Sequence, residues 1–159
     1  MADSTPVETD SRQWLEHTCQ VEVPTSIHHV WDLWSNLALM PNWMKWIRSV
    51  ELLDDSHSKW TLDTRGFTFT WTSLTHTVHH HQIIAWKSID GLPNRGALRF
   101  YDRKGSTIVK LSIAYALPGF LAKLMDNVFV KQVVESTLQA DLERFRVYAL
   151  EHAGASHES

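Results

Sequence analysis

Between residues 46 and 117 large apolar and polar side chains alternate. Six such stretches, at about 46–54, 58–65, 67–78, 82–89, 96–103 and 106–117, are separated by "DDSHS", "RG", a histidine cluster, "DGLPNRG" and "RKG". Period two marks half-buried strands, and these separators are turn signals. Connections this short join antiparallel neighbours. A seventh strand precedes them. In "WLEHTCQVEV", Leu15, Cys19, Val21 and Val23 oppose Glu16, Thr18, Gln20 and Glu22, and Pro24 ends the run. "TSIHHVWDLWSNL" then reads as a short helix with Thr25 or Ser26 as N-cap, followed by the turn "MPNW". From Pro118 to about Glu151 no breaker follows Gly119. Phe120, Leu124, Val128, Val134, Leu138, Leu142, Phe145 and Ala149 recur at mostly helical spacing. A helix of about 30 residues would be roughly 45 Å long, with a break expected near Val128–Val130, where β-branched residues cluster. Seven short-looped strands must bury one face, and the last helix is the only large element left to cover it. The expected fold is α+β: a curved seven-stranded antiparallel sheet around a long C-terminal helix, with two short helices after the first strand.

The 159 residues suit one domain, expected at 12–152 between polar tails at 1–11 and 153–159. A hydrophobic fraction of 43% supports a real core. Lys and Arg are scattered and the net charge is −3, so nothing points to nucleic acid as a partner. The lone Cys19 cannot form an internal disulfide and suits a reducing compartment. "MADSTPVETDSR" has no apolar stretch of the signal-peptide kind, and no run reaches the roughly 18–20 apolar residues of a membrane span. The expectation is a cytoplasmic protein, with transient contact at a membrane surface left open.

Each strand indicates its own inner face. Trp60 and Leu62 turn in against Thr61, Asp63 and Arg65, and Phe67, Phe69 and Trp71 against Thr68, Thr70 and Thr72. Outward Lys87 puts Ile84 and Trp86 inside. Outward Arg99 does the same for Leu98 and Phe100, and outward Lys110 for Val109, Leu111, Ile113 and Tyr115. The plain reading is a filled core. The alternative is a space between curved sheet and helix, apolar because the inner set holds almost no ionisable group. Its lining is then Trp60, Leu62, Phe69, Trp71, Trp86, Phe100, Ile113 and Tyr115 from the sheet, with Val134 and Leu138 from the helix. Phe120, Leu121, Leu124 and Met125, just after Pro118 and Gly119, are more apolar surface than one helical stripe needs and are the candidate entrance.

"WKSIDGLPNRGALRFYDRKGSTIVKLSIAY" resembles the strand-turn-strand signature of the polyketide cyclase/dehydrase group of the START/Bet v 1-like (SRPBCC) superfamily. "EVPTSIHHVWDLWSNLALMPNWMKWIRSVELL" is similar to the same group's strand, helix and P-x-W turn. "LPGFLAKLMDNVFVKQVVESTLQADLERF" resembles the closing helix of the coenzyme Q-binding START-like proteins. The resemblance covers about residues 14–150. It implies a helix-grip fold with a hydrophobic cavity between sheet and C-terminal helix. Trp86 and Phe100 would line the interior, and no shared catalytic residue is there to carry over.

Catalytic and metal motifs do not assemble. His76, His79, His80 and His81 fall in "HTVHHH", where adjacent residues on a turn point different ways, so a hairpin turn is expected and no metal. His28 and His29 read as helix surface, and Cys19 as a buried structural thiol. Among Tyr115, Asp63, Arg65, Arg99 and His76, alternation turns only Tyr115 inward. No cofactor is implied. The first functional expectation is binding or carriage of a hydrophobic small molecule: a lipid, quinone, isoprenoid or pigment. The alternatives are an aromatase/cyclase-like enzyme, which needs an acid or base within about 3 Å of the reacting group, and an interaction factor using Trp43, Met44 and Trp46 as an exposed patch.

Overall fold

The computed structural model describes residues 14–124 and 127–158. Seven strands form one sheet: β1 Trp14–Val23, β2 Ile47–Leu52, β3 His57–Thr64, β4 Phe67–His79, β5 Ile83–Gly91, β6 Asn94–Asp102 and β7 Thr107–Ala116. Every neighbouring pair is antiparallel, in the order β1-β7-β6-β5-β4-β3-β2. Between β1 and β2 lie helix α1, Ile27–Trp34, and a 3-10 helix, Leu37–Asn42. Ser26 caps α1 by accepting from the His29 backbone N–H at 3.2 Å. Helices α2, Gly119–Leu124, and α3, Asn127–Glu158, follow β7.

The alternation in the sequence is the alternation of burial. In β1, Leu15, His17, Cys19, Val21 and Val23 are all buried and the residues between them exposed. In β7, Val109 and Leu111 are buried with Tyr115 on the same side. The 13-residue β4 shifts register against β5 at Thr72/Ser73 and again at Thr75/Thr77. Such bulges bend a strand and raise its twist, which is how a long sheet curls round a helix. At the end of β5, Gly91 has φ +77°, and a Cβ there would lie 2.2 Å from the Thr70 carbonyl oxygen. Only glycine fits that approach.

Helix α3 buries one stripe, Val130, Leu138, Leu142, Phe145 and Ala149, with half-buried Val134 on the same spacing. It does not break at 128–130: the described helix begins at Asn127 and passes through that cluster. It also runs on to Glu158, through most of the segment read as a tail. The tail at 1–11, Met125 and the side chain of Leu124 lie outside the described residues. Among the described residues no helix is long and apolar enough to cross a membrane.

The core divides along α3. Its later half is closed by aromatics: Trp34, Trp43 and Phe145 meet pairwise at centroid distances of 5.1, 4.8 and 4.9 Å. Trp43, expected on an exposed patch, is 1% exposed. The 3-10 helix turns its ring back under α1, and the Trp43 backbone N–H donates to the Met40 carbonyl at 3.1 Å. The earlier half of α3 packs on β1 and β7 at Leu15 and Tyr115 and leaves a gap over the strands beyond them.

Candidate ligand cavity

A cavity of about 240 Å³ fills that gap. Its floor is the inner face of β3 to β7. Trp60 and Trp71, paired across β3 and β4, stack with centroids 5.9 Å apart and ring planes 9° apart. Indole N–H groups are fastened into the wall: Trp60 Nε1 donates to Ser58 Oγ at 2.8 Å, and Trp86 Nε1 to Asn94 Oδ1 at 3.3 Å. Asn94 Nδ2 in turn donates to the Leu92 carbonyl at 2.9 Å. With their donors tied back, both tryptophans add apolar ring surface. The roof is the first half of α3, including Val130, Val134, Thr137 and Leu138.

Among the described residues the one acid in the roof, Asp141, is already occupied. Asp141 is buried; it accepts from the Lys45 backbone N–H at 3.1 Å and from the Arg144 guanidinium. Burial pushes its carboxyl up, and those two bonds pull the other way. Arg144 Nε also donates to the Trp43 carbonyl at 3.0 Å. The pair fastens α3 to the segment after the 3-10 helix.

Of the residues expected to line a cavity, Trp60, Leu62, Phe69, Trp71, Trp86, Ile113, Tyr115, Val134 and Leu138 do line this one. Phe100 does not. It is buried, but its ring meets Trp31 of α1 edge-on at 5.1 Å, because α1 closes that end of the sheet. At the expected entrance the two described residues part company. Leu121 is 2% exposed and lines the cavity, whereas Phe120 is 60% exposed and does not. The lining reaches solvent at Phe67, 37% exposed, and Phe129, 47% exposed. The mouth therefore lies between the β3–β4 turn and the start of α3. Arg65 sits there too. Alternation turned it outward, but the turn gives it φ 50° and breaks the strand geometry. Met44 and Trp46, expected on a surface patch, line the cavity instead.

His17 is the residue sequence reasoning passed over. It falls on the inner face of β1 between Leu15 and Cys19, so alternation already placed it. Its Nε2 lies 3.0 Å from the Tyr115 hydroxyl and its Nδ1 3.5 Å from a Glu135 carboxylate oxygen on α3. Burial lowers its pKa below the ordinary 6.5, against the pull of Glu135. Burial likewise raises the Tyr115 hydroxyl well above its usual range and keeps the free Cys19 thiol protonated.

The histidine cluster closes the β4–β5 turn. Gln82 N–H bonds the His79 carbonyl at 2.8 Å. The rings of His80 and His81 stack at 3.8 Å and stand edge-on to Trp31 at 5.4 and 6.1 Å, so this solvent-facing turn also packs against Trp31. Among the described residues no group of three His, Cys, Asp or Glu side chains could hold a metal. His29 is not helix surface: it is buried and bonds the Ala149 carbonyl.

A curved antiparallel sheet gripping one long helix, with an apolar cavity between them, defines the helix-grip class of START/Bet v 1-like proteins. Within that class the sequence pattern described as polyketide cyclase/dehydrase and lipid transport matches residues 23–143, and the chain belongs to this family. No curated protein sequence matches it. Solved structures do. An aromatase/cyclase from Streptomyces sp. R1128 is 19% identical, with 89% of this chain and 95% of that one covered and a TM-score of 0.71. A START superfamily protein from Mycobacterium smegmatis is 15% identical, with 87% and 97% covered and a TM-score of 0.70. A conserved protein from Geobacillus kaustophilus is 9% identical, with 87% and 97% covered and a TM-score of 0.74. At these identities the likeness is one of fold.

Proposed function

We propose that this protein binds and carries a hydrophobic small molecule in the cavity between its sheet and α3. The observation that carries the reading is the cavity's combination of size and wall. A space of about 240 Å³ is larger than the roughly 150 Å³ hydrocarbon-lined cavity that takes up benzene. It suits a ligand portion of about two fused rings or a short branched chain. Its walls are mainly tryptophan, phenylalanine and aliphatic side chains, and its one roof carboxylate is engaged by Lys45 and Arg144. That is a wall for holding apolar matter, not for acid–base work on it. The mouth, where exposed Phe67 and Phe129 lie with Arg65, and exposed Phe120 and Val128 nearby in sequence support loading from a membrane surface.

The test is titration of purified protein with naphthalene, followed by quenching of tryptophan fluorescence. One saturable site is expected. Val134→Trp, which puts an indole into the cavity, should abolish it while circular dichroism stays that of the wild type. Folded wild-type protein that takes up no naphthalene would overturn the reading.

A further inference from the structure

The polar cluster His17–Tyr115–Glu135 lies against the cavity, and the binding reading above does not use it. Tyr115 lines the cavity; His17, bonded to its hydroxyl, does not. The two rings are nearly parallel, with planes 8° apart and centroids 5.5 Å apart. Among the described residues His17 Nδ1 is buried without a hydrogen-bond partner, and a Glu135 carboxylate oxygen lies 3.5 Å away, just beyond a good hydrogen bond. A carboxylate can accept and not donate, so it selects the tautomer with hydrogen on Nδ1. Nε2 then carries the lone pair, and the Tyr115 hydroxyl must donate to it. That uses the phenol's only hydrogen and leaves its oxygen able only to accept. Among the described residues that oxygen has one partner, His17. A phenol oxygen placed in this way can accept a hydrogen bond but has none to give. Burial disfavours the histidine's charge and outweighs the opposing pull of Glu135, so the imidazole is neutral at neutral pH.

We propose that Tyr115, polarised by His17 and Glu135, is a hydrogen-bond acceptor in the cavity wall that selects hydrophobic ligands bearing a hydroxyl group, such as lipophilic phenols or alcohols, over ethers and ketones of the same shape. The proposal rests on the cavity-binding reading and adds the polar group the ligand carries. A ligand hydroxyl donating to Tyr115 Oη satisfies an otherwise idle acceptor. An ether or carbonyl oxygen brings a second acceptor against it and gains nothing. Selection by a buried polar group works chiefly through such penalties.

The experiment compares 2-naphthol, 2-methoxynaphthalene and naphthalene by tryptophan quenching at pH 7.5. Wild-type protein is expected to bind 2-naphthol about 10-fold more tightly than the other two, the equivalent of about 1.4 kcal/mol. Tyr115→Phe should bring the three affinities together and leave naphthalene unchanged. His17→Leu releases the phenol hydrogen, so 2-methoxynaphthalene should gain several-fold over its wild-type affinity, which loss of packing alone would not produce. This second variant and the wild-type comparison decide the matter even if Tyr115→Phe fails to fold. Naphthalene binding with no preference for 2-naphthol in the wild type overturns this proposal alone. Failure of naphthalene itself to bind overturns the cavity reading beneath it.

Discussion

His29 Nε2 lies 2.9 Å from the carbonyl oxygen of Ala149, a residue 120 positions away. The carbonyl can only accept, so Nε2 carries the hydrogen and donates. Helix α1 is thereby fixed to the last third of α3, over the aromatic plug of Trp34, Trp43 and Phe145. A buried hydrogen bond of this kind contributes about 1 kcal/mol. His29→Leu should therefore lower the unfolding free energy by roughly 1–2 kcal/mol in urea without changing the slope of the transition. His29→Gln, which keeps a donor, should recover part of it. Equal stability of His29→Leu and wild type would show that this bond does not hold the helices together.

Gly96 lies opposite Trp86 in the β5–β6 register. A Cβ on Gly96 would stand 2.6 Å from Trp86 Cζ2 and 2.6 Å from the Ser112 carbonyl oxygen. The indole could swing, but the carbonyl belongs to β7 and cannot move without disturbing the ladder. Gly96→Ala is expected to cost about 1–3 kcal/mol, as overpacking does. It should also weaken naphthalene binding, because the displaced ring moves into the cavity. Unchanged stability and binding in that variant would mean the sheet yields more easily than its register implies.

The strands were legible because one rule, period two, governs both sequence and burial on this sheet, and polar Lys87, Arg99 and Lys110 marked its outer face. The helical stripe from Val134 to Ala149 was legible for the same reason at period 3.6, but its start was not: Val128, read as part of the stripe, is exposed, and Val130 is the buried residue. What period cannot give is distance between elements. Phe100 and Trp86 read alike as inward aromatics, yet α1 covers the first and the hollow the second. Trp43 looked like surface because its neighbours Pro41 and Asn42 signal a turn, and only the three-dimensional return of the 3-10 helix buries it. His17 obeyed the alternation all along. It was passed over because a histidine between Leu15 and Cys19 carries no motif, and its partners lie 98 and 118 positions away (115 − 17 and 135 − 17).

Acid should destabilise the protein, and His17 is one of the groups responsible. Burial is the first cause of the lowered pKa of both His17 and His81. A histidine whose folded value is depressed leaves the unfolded chain binding more protons below about 6.5. Its stabilising contribution is complete above that pH and is lost as pH falls toward the folded value, at up to about 1.4 kcal/mol per pH unit for each group. Buried Asp141, raised from 3.8, works the other way on that side of 3.8, so the comparison must isolate one residue. His17→Gln should shift the whole curve but flatten it between pH 7 and pH 5 relative to wild type. Parallel curves would show that His17 ionises alike in the folded and unfolded chain.

Replacing His79, His80 and His81 together by Asn should change stability by less than about 1 kcal/mol. Three effects nearly offset. Ring packing over Trp31 is lost, and the mutual repulsion that lowers the His81 pKa disappears. His81 also sits at φ 62°, a left-handed conformation that Asn adopts more readily than most residues. None of the three lines the cavity, so naphthalene binding should be unchanged. A metal that resists chelators in the wild type and is missing from the mutant would show that the cluster does more than close a turn.

Phe120 and Leu121 are adjacent on α2 and should respond oppositely to the same change. Leu121 is buried in the cavity wall. Leu121→Asp puts an unpaired carboxylate there, and the protein should lose several kcal/mol or fail to fold. Phe120 is mostly exposed, so Phe120→Asp should stay within about 0.5 kcal/mol of wild type. If the mouth loads from a membrane, though, the new charge lies beside the apolar surface that must touch lipid. Transfer of the apolar dye diphenylhexatriene between phosphatidylcholine vesicles should then slow several-fold, while naphthalene binding in solution is kept. Wild-type transfer by Phe120→Asp would remove the membrane contact from the proposal and leave the cavity standing. Wild-type stability of Leu121→Asp would mean that the start of α2 moves away from the sheet more easily than its burial implies.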